Sequence, residues 1–207
     1  MISIIIPVFN QHEMTIECID SVLLNTKDCE IILVDNGSYP EISTHVKHIV
    51  NVTGFGESFR TYIKSSMDGR VDKIIRNEGN KGFPAAVNQG IKAAKGDIII
   101  LLNNDVIVTA GWAERLFSDL DEYSIVGPVT NYCAGMQKIT LPVYENIEGL
   151  NKEAAYLAQE MEGKTEEVNF VIGFCMAFKK SLFDEIGEFD ESLWPCSGEE
   201  IDFCLRA

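Results

Sequence analysis

Three acidic residues near the end of the chain, Glu199, Glu200 and Asp202, are of the type that can remove a proton from a hydroxyl group. Glu199 and Asp202 are three positions apart, so they share one face of a predicted helix, and Glu200 points elsewhere. Acidic residues are also favoured at a helix start by the helix dipole. The spacing therefore indicates a candidate general base without saying which residue it is.

Two further carboxylates follow short apolar segments that are typical of buried strands. Asp105 ends the sequence Asn103-Asn104-Asp105, directly after Ile98–Leu102. A carboxylate there can bind a hard cation that neutralises a diphosphate, although Asn-Asn-Asp is also good turn chemistry. Asp35 follows the apolar residues 30–34. It can accept a hydrogen bond from a base or a ribose, or simply cap a turn.

The segments that would position these residues alternate between strand and helix patterns. Strands are predicted over residues 3–8, 30–34, 72–75 and 98–102, and helices over residues 13–24, 40–50 and 83–94. This order predicts a mostly parallel sheet covered by helices on both faces. Ligands bind beyond the carboxyl ends of the strands in such sheets. Polar residues fall at these ends: Asn10 after Phe9, Asn36 beside Asp35, and residues 103–105.

The second half of the chain has a less regular pattern. Helices are predicted over residues 112–120, 151–162, 181–186 and 199–207, and strands over residues 125–129 and 170–178. The last helix still has an apolar face where the sequence stops, so we expect a C-terminal truncation. Residues 51–70 have the composition of an inserted loop.

Composition excludes some classes of function and location. The net charge is −15, from 17 basic and 32 acidic residues, which argues against a nucleic-acid partner because phosphate binding relies on clustered Lys and Arg. The longest strongly apolar run, Ile98–Leu102, is too short to span a bilayer, and no signal peptide is visible. Six cysteines without a CxxC pair indicate reduced thiols. We therefore expect a cytoplasmic protein, with the inner face of the membrane as an alternative.

Taken in order along the chain, these segments resemble family 2 of the inverting glycosyltransferases, which have the GT-A-type nucleotide-diphospho-sugar transferase fold. The matching segments are Ser3-Ile-Ile-Ile-Pro7-Val-Phe-Asn10, Ile32-Leu-Val-Asp35-Asn36-Gly-Ser38, Asn80-Lys-Gly82-Phe83-Pro-Ala-Ala-Val-Asn88-Gln-Gly90, Leu101-Leu-Asn103-Asn104-Asp105, Gly187-Glu-Phe189-Asp190-Glu191 and Gly198-Glu199-Glu200-Ile-Asp202-Phe-Cys-Leu-Arg206. The fourth segment occupies the place of the family's metal-binding DxD motif.

The resemblance implies a three-layer α/β/α sandwich in a single domain over residues 1–207. Residues 1–105 would form the nucleotide-sugar-binding half and residues 106–207 the acceptor-side half. The implied activity is transfer of a sugar from a nucleoside diphosphate to an acceptor hydroxyl with inversion. Cell-surface polysaccharide or glycan biosynthesis is the implied setting, and the implied acceptor is a saccharide or a lipid-linked molecule.

The resemblance also implies a role for each matching residue. Asp105 would bind Mn²⁺ or Mg²⁺ bridging the diphosphate. Glu199-Glu200 matches the family's Glu-Asp motif, whose second member is usually the base, which indicates Glu200; Glu199 and Asp202 stay as alternatives. The nucleotide-binding positions are Pro7, Phe9, Asn10, Asp35, Asn36, Gly82, Asn88, Asn103 and Asn104.

Two positions depart from the family pattern. Asn103 replaces the first DxD carboxylate, which leaves one carboxylate at the metal and predicts a weaker metal affinity. The Asn-Asn-Asp form resembles the rhamnosyltransferase-like members and suggests a donor linked to dTDP or UDP. Glu200 replaces an aspartate and adds a methylene at the base.

Two other functions are compatible with parts of the pattern. A nucleotidyltransferase would need a basic, glycine-rich loop after the first strand, and residues 10–13 contain neither glycine, Lys nor Arg. A catalytically silent nucleotide-sugar-binding module of a larger protein remains an alternative because of Asn103.

Overall fold

The structure, a computed structural model, describes residues 1–42, 71–140 and 144–207. Most of the helix predicted over residues 40–50 and all of the inserted segment 51–70 lie outside the described residues. The described residues form a layered α/β fold around one sheet.

Residues 1–42, 71–140 and 144–207 contribute six strands to the sheet: β1 (Ile2–Val8), β2 (Cys29–Asp35), β3 (Lys73–Arg76), β4 (Ile98–Leu102), β5 (Ile125–Val126) and β6 (Cys175–Lys179). Their spatial order is β3-β2-β1-β4-β6-β5. β1 to β4 are parallel, whereas β6 runs antiparallel to both β4 and β5. The mostly parallel sheet expected from the sequence is confirmed.

The central strands are apolar on both faces, as parallel strands covered on both sides must be. In β1, Ile4 and Ile6 belong to one core cluster, and Ile5 between them belongs to the other. In β2, Leu33 belongs to the cluster that contains Ile4 and Ile6, and Val34 belongs to the cluster that contains Ile5. Side chains alternate along a strand, so a continuous apolar run serves two separate cores.

Within the described part of the chain, six helices and one short 3₁₀ helix surround the sheet: α1 (His12–Asn25), α2 (Phe83–Ala93), α3 (Trp112–Ser118), α4 (Ile147–Glu160), α5 (Lys180–Ile186), the 3₁₀ helix Glu191–Leu193 and α6 (Glu199–Arg206). α1 and α3 contribute to the core cluster on one face, for example through Ile19 and Leu116. α2 and α6 contribute to the other, for example through Val87 and Phe203. This is the expected three-layer α/β/α arrangement.

Two predicted strands are shorter than expected. The strand predicted over residues 125–129 ends at Val126, and the strand predicted over 170–178 begins only at Cys175. Between them, the Gln137 side chain accepts a hydrogen bond from the Ile172 N–H at 2.6 Å and donates one to the Pro128 carbonyl at 2.8 Å. The backbone there pairs with a side chain instead of a neighbouring strand.

α4 begins at Ile147, four residues earlier than predicted, because the Asn146 side chain accepts from the Gly149 N–H at 2.9 Å and caps the helix. No residue within α4 is buried. Among the described helices, none combines the length and the apolarity that crossing a bilayer requires.

Candidate active site

Polar loops meet at one edge of the sheet, where the parallel strands end. Pro7 is partly buried in β1, and Phe9 beyond its end is exposed. The Asn10 N–H donates to Ser38 Oγ at 2.8 Å, and Asn10 Oδ1 accepts from the Tyr39 N–H at 3.0 Å. These bonds join the loop after β1 to the loop after β2.

Asp35, the last residue of β2, is fully buried and organises the loop that follows it. Its Oδ1 accepts from the Ser38 N–H at 2.9 Å, and its Oδ2 accepts from the Ile42 N–H at 3.1 Å and from Arg76 Nη1 at 2.7 Å. The Arg76 side chain is 34% exposed, so it is the part of this ion pair that faces solvent. Arg76 is not among the residues predicted for the site, although its position at the end of β3 is a signal that could have found it.

Asn36 is buried, and its side chain forms hydrogen bonds with the segment that leads into α2. Its Nδ2 donates to Asn80 Oδ1 at 2.9 Å and to the Gly82 carbonyl at 3.0 Å. Its Oδ1 accepts from Asn77 Nδ2 at 3.0 Å and from the Lys81 N–H at 3.1 Å. These four bonds use the full capacity of the amide. In this arrangement Asn36 positions the loop, and direct contact with a nucleotide stays a prediction.

Asn88 lies in the middle of α2 and ties that helix to the acceptor-side segment. Its Nδ2 donates to the Phe189 carbonyl at 2.9 Å and to Glu191 Oε1 at 3.1 Å, while its Oδ1 accepts from the Phe189 N–H at 3.0 Å. The side chain is buried. It therefore supports the site from beneath, and its predicted contact with a nucleotide stays untested.

The end of β4 places Asn103, Asn104 and Asp105 at the same edge. The Asn103 N–H donates to the Phe174 carbonyl at 2.8 Å, which joins this end to the residues just before β6. Asn104 Nδ2 donates to Thr15 Oγ1 of α1 at 2.8 Å. Asp105 is exposed, and its carboxylate has no hydrogen bond or ion pair with any other described residue.

The donor set at Asp105 fits a divalent cation shared with a ligand. Within residues 1–42, 71–140 and 144–207, no cluster of three or more His, Cys, Asp or Glu side chains could hold a metal on its own. Mn²⁺ and Mg²⁺ take oxygen ligands and commonly complete their coordination with substrate phosphates. The free carboxylate of Asp105 and the amide of Asn103 are suitable oxygen donors, provided that phosphate oxygens supply others.

The acidic residues at the start of α6 have different surroundings. Glu199 is only 8% exposed, and its Oε2 has no hydrogen-bond partner among the described residues. Burial raises the pKa of Glu199, and the neighbouring Glu200 charge raises it further. Asp202 instead forms an ion pair with Arg206 at 2.8 Å, and Arg206 also donates to the Ile186 carbonyl at 2.6 Å. Asp202 thus anchors α6.

Glu200 lies beside the segment that is bonded to the end of β4. A Cβ atom added to Gly173 would lie 3.4 Å from Glu200 Cβ and 3.8 Å from Phe83 Cε1. The next residue, Phe174, accepts the hydrogen bond from Asn103. The antiparallel direction of β6 therefore brings Glu200, the start of α2 and the Asn-Asn-Asp segment to one edge of the sheet.

The sequence profile described as "Glycosyl transferase family 2" matches residues 3–187, most of the chain. The chain belongs to this family. Over 193 residues it is 26% identical to glycosyltransferase GlyG of Streptococcus pneumoniae serotype 4, covering 90% of this chain and 59% of that protein. It covers 31% and 29% of two other curated relatives. This glycosyltransferase domain therefore spans less than two thirds of these proteins.

Solved structures share the fold at low sequence identity. One is GalNAc-T7 with UDP, GalNAc and Mn²⁺, with a TM-score of 0.65 and 17% identity, covering 100% of this chain and 40% of that one. Another is the mannosyltransferase PcManGT of Pyrobaculum calidifontis in complex with GDP-Man and Mn²⁺, with a TM-score of 0.58 and 16% identity, covering 92% and 47%. They confirm the GT-A-type architecture.

Proposed function

We propose that this chain transfers a sugar from a nucleoside diphosphate to an acceptor hydroxyl with inversion, as part of cell-surface polysaccharide or glycan biosynthesis. The observation that carries the proposal is the convergence at one sheet edge of an unpaired carboxylate, Asp105, and a second carboxylate, Glu200, linked through Gly173 and Phe174. Asp105 can help to stabilise the charge on the leaving diphosphate, and Glu200 can take the proton from the attacking hydroxyl.

The donor would bind across the ends of β1, β2 and β3. Asp35 holds Arg76 at the exposed rim of this region, where the guanidinium can donate to a nucleobase or a ribose. Family membership and the neighbours bound to UDP and GDP-Man support a nucleotide-sugar donor. The rhamnosyltransferase-like Asn103-Asn104-Asp105 sequence favours a donor linked to UDP or dTDP.

The reaction itself needs one displacement. Glu200 removes the proton from the acceptor hydroxyl while that oxygen attacks the anomeric carbon from the face opposite the diphosphate. The bond between the anomeric carbon and the phosphate oxygen breaks, and the nucleoside diphosphate leaves with the electron pair. Asp105 and Asn103 would hold a divalent cation, which when bound stabilises the negative charge on the leaving phosphate oxygens.

The two halves of the chain would divide this work. Residues 1–105 supply the donor side, and residues 106–207 supply Glu200 and the acceptor side, in one domain. The acceptor would be a saccharide or a lipid-linked molecule. The transfer reaction would take place in the cytoplasm. A lipid-linked acceptor would bring the protein to the inner face of the membrane.

The proposal is tested by calorimetric titration with UDP, dTDP and GDP, each with and without Mn²⁺. We expect selective, Mn²⁺-dependent binding of UDP or dTDP. Asp105→Asn should weaken that binding by about tenfold or more, because it removes the charged oxygen ligand at the site. The control is Asp97→Asn, since Asp97 is exposed and lies at the opposite end of β4. Equal Mn²⁺-dependent affinity in all three proteins would contradict the metal assignment.

A silent nucleotide-sugar-binding module is the second candidate, and Asn103 is the observation that favours it. With one carboxylate at the cation, the charge available to stabilise a leaving diphosphate is smaller than in a two-carboxylate site. Retained nucleotide binding without turnover of any donor would select this candidate. Absence of binding to all the nucleotides would reject both functions for this chain.

A further inference from the structure

Trp194 is a half-exposed indole that the protein holds in a fixed place. It is 45% exposed, and its ring rests on Gly82, the residue that precedes α2. A Cβ atom on Gly82 would lie 2.6 Å from Trp194 Cγ and 2.7 Å from Cδ2, so the ring occupies the space a side chain would need. Gly82 also has a φ of 92°. Both facts require glycine there.

The segment that carries Trp194 is attached to α2 a second time. Asn88, in the middle of that helix, binds Phe189 and Glu191 through its buried amide. The Trp194 N–H then donates to the Glu191 carbonyl at 3.3 Å, which closes the 3₁₀ helix before the indole. Because both attachments are to one helix, the indole is fixed relative to the start of α2.

The backbone of Gly82, which Trp194 contacts, is already hydrogen-bonded. The Gly82 N–H donates to Asn80 Oδ1 at 2.9 Å, and the Gly82 carbonyl accepts from Asn36 at 3.0 Å. Gly82 therefore has little left to offer a nucleotide, and its distinctive contribution is the space for the ring. Among the described residues, none receives a hydrogen bond from the Trp194 Nε1–H.

Trp194 and Glu200 flank the start of α2 from two sides. Gly82 touches Trp194, and the next residue, Phe83, lies 3.8 Å from the position of a Gly173 Cβ atom that would also touch Glu200. Gly173 has no side chain, so no atoms beyond its backbone lie against Glu200 Cβ and Cγ there. An indole and an acidic side chain thus both lie near the start of α2, which is the combination of apolar and polar groups that small-ligand sites use.

We propose that Trp194 is the platform on which a pyranose ring of the acceptor saccharide stacks, so that one of its hydroxyl groups lies before Glu200. This inference rests on the proposed transferase function. A pyranose presents an apolar C–H face to an aromatic ring and hydroxyl groups at its edge, which matches a fixed, half-exposed indole with a free N–H.

Fluorine NMR of the intact chain labelled with fluorotryptophan tests this directly, because the chain has only two tryptophans. Trp112 is the internal control, since it is buried and its Nε1–H donates to Thr26 Oγ1 at 2.8 Å. Methyl glycosides of glucose, galactose, N-acetylglucosamine and rhamnose are titrated with and without UDP and Mn²⁺. We expect at least one glycoside to shift the Trp194 resonance saturably and to leave the Trp112 resonance unchanged.

Variants separate stacking from a general loss of structure. Trp194→Ala should weaken the glycoside by about three- to tenfold in ligand-observed saturation transfer, and Trp194→Phe should largely restore it. Gly173→Val should abolish binding by placing side-chain atoms against Glu200, whereas Gly173→Ala should be tolerated, since its nearest contact of 3.4 Å is ordinary. UDP affinity, measured separately by calorimetry, should be unchanged in all four variants.

Three outcomes overturn the inference. The first is that no glycoside shifts Trp194 while UDP binds. The second is that UDP alone saturates the Trp194 shift and Trp194→Ala weakens UDP, which would assign the indole to the donor. The third is that Gly173→Val keeps the wild-type glycoside affinity. Glycoside binding at Trp194 without any nucleotide binding would instead contradict the proposed transferase function and leave the platform supported.

Discussion

At the residue scale, the three carboxylates of α6 differ in what they are free to do. Asp202 is held by Arg206, and Glu199 is buried with an oxygen that has no partner among the described residues. Glu200 is partly buried and lies beside Gly173, the residue before Phe174, which is bonded to the end of β4. A general base must reach the hydroxyl that it deprotonates, so Glu200 is the residue whose place suits the role.

We predict that Glu200→Gln abolishes transfer and leaves nucleotide affinity unchanged. Loss of a general base typically lowers the rate by about 10²- to 10⁴-fold, and an amide of the same shape should preserve packing. Transfer is measured with the donor nucleotide identified by calorimetry. Glu199→Gln and Asp202→Asn are the matched controls on the same helix. An active Glu200→Gln variant beside an inactive Glu199→Gln variant would reassign the base.

The sequence could propose Asp35, Asp105 and the acidic group Glu199, Glu200 and Asp202 as candidates, because strand ends and helix starts can be recognised locally. It could not show what Asn36 and Asn88 bind. Asn88 pairs with Phe189, 101 positions along the chain, and a hydrogen bond over that separation exists only once the chain has folded. The same limit explains why the contact between Trp194 and Gly82 was not predicted.

At the element scale, α2 joins the proposed donor side to the proposed acceptor side. Its first residues follow the loop held by Asn36, and its middle holds the acceptor-side segment through Asn88. On the surface, Lys92 makes a second connection to that segment through Glu188 at 2.6 Å. The connection through Asn88 is buried and the one through Lys92 is exposed, so their contributions to the free energy of unfolding should differ.

We predict that Asn88→Ala lowers the free energy of unfolding by about 2 kcal/mol, because it leaves the Phe189 N–H and carbonyl buried without partners. It should reduce transfer more than UDP affinity, since the segment that carries Trp194 and α6 loses its anchor. Lys92→Ala is the control and should cost at most about 1 kcal/mol, as exposed ion pairs do. Urea unfolding, calorimetry and initial rates measure the three effects. Equal losses in UDP affinity and transfer would argue against a positioning role.

The elements themselves were predictable where the pattern was periodic on its own. β4 was predicted with its observed bounds, Ile98–Leu102, because a fully apolar run between polar turns has few other interpretations. The strand predicted over residues 170–178 was too long because Gln137, more than 30 positions earlier, takes the Ile172 N–H. The Ile172 N–H bonds to a side chain from another loop and not to a neighbouring strand. No local sequence pattern could reveal this contact.

At the scale of the whole molecule, the two ends of the parallel strands carry different polar groups. The carboxyl edge carries the candidate site, and the opposite edge carries a buried carboxylate, Glu30, with no part in the proposed chemistry. Glu30 accepts hydrogen bonds from Ser3 Oγ, from the Lys95 N–H at 2.5 Å and from the Gly96 N–H at 3.2 Å. It thereby ties β1 and β2 to the turn before β4.

Glu30 should make the stability of the fold depend on pH. Burial alone would raise the pKa of this carboxyl, but the bonds from Ser3, Lys95 and Gly96 together lower it below 4.5. A carboxyl whose pKa is lower in the folded protein stabilises the fold above its unfolded pKa. That contribution is lost as the pH falls through the folded pKa, when Glu30 takes up a proton.

We predict that Glu30→Gln lowers the free energy of unfolding by about 1–2 kcal/mol at neutral pH, because the charge-assisted bonds that its Oε1 accepts become neutral ones. The difference from the wild type should shrink as the pH falls below about 4.5, the ordinary value for glutamate, since the wild type then loses the same charge. Urea unfolding at a series of pH values measures it. Asp121→Asn is the control: the Lys179 ammonium lowers the pKa of Asp121 as well, but that pair is exposed and its removal should leave stability nearly unchanged. A Glu30→Gln deficit that stayed constant across this pH range would show that the amide disturbs packing, and that the charge of Glu30 does not hold this edge together.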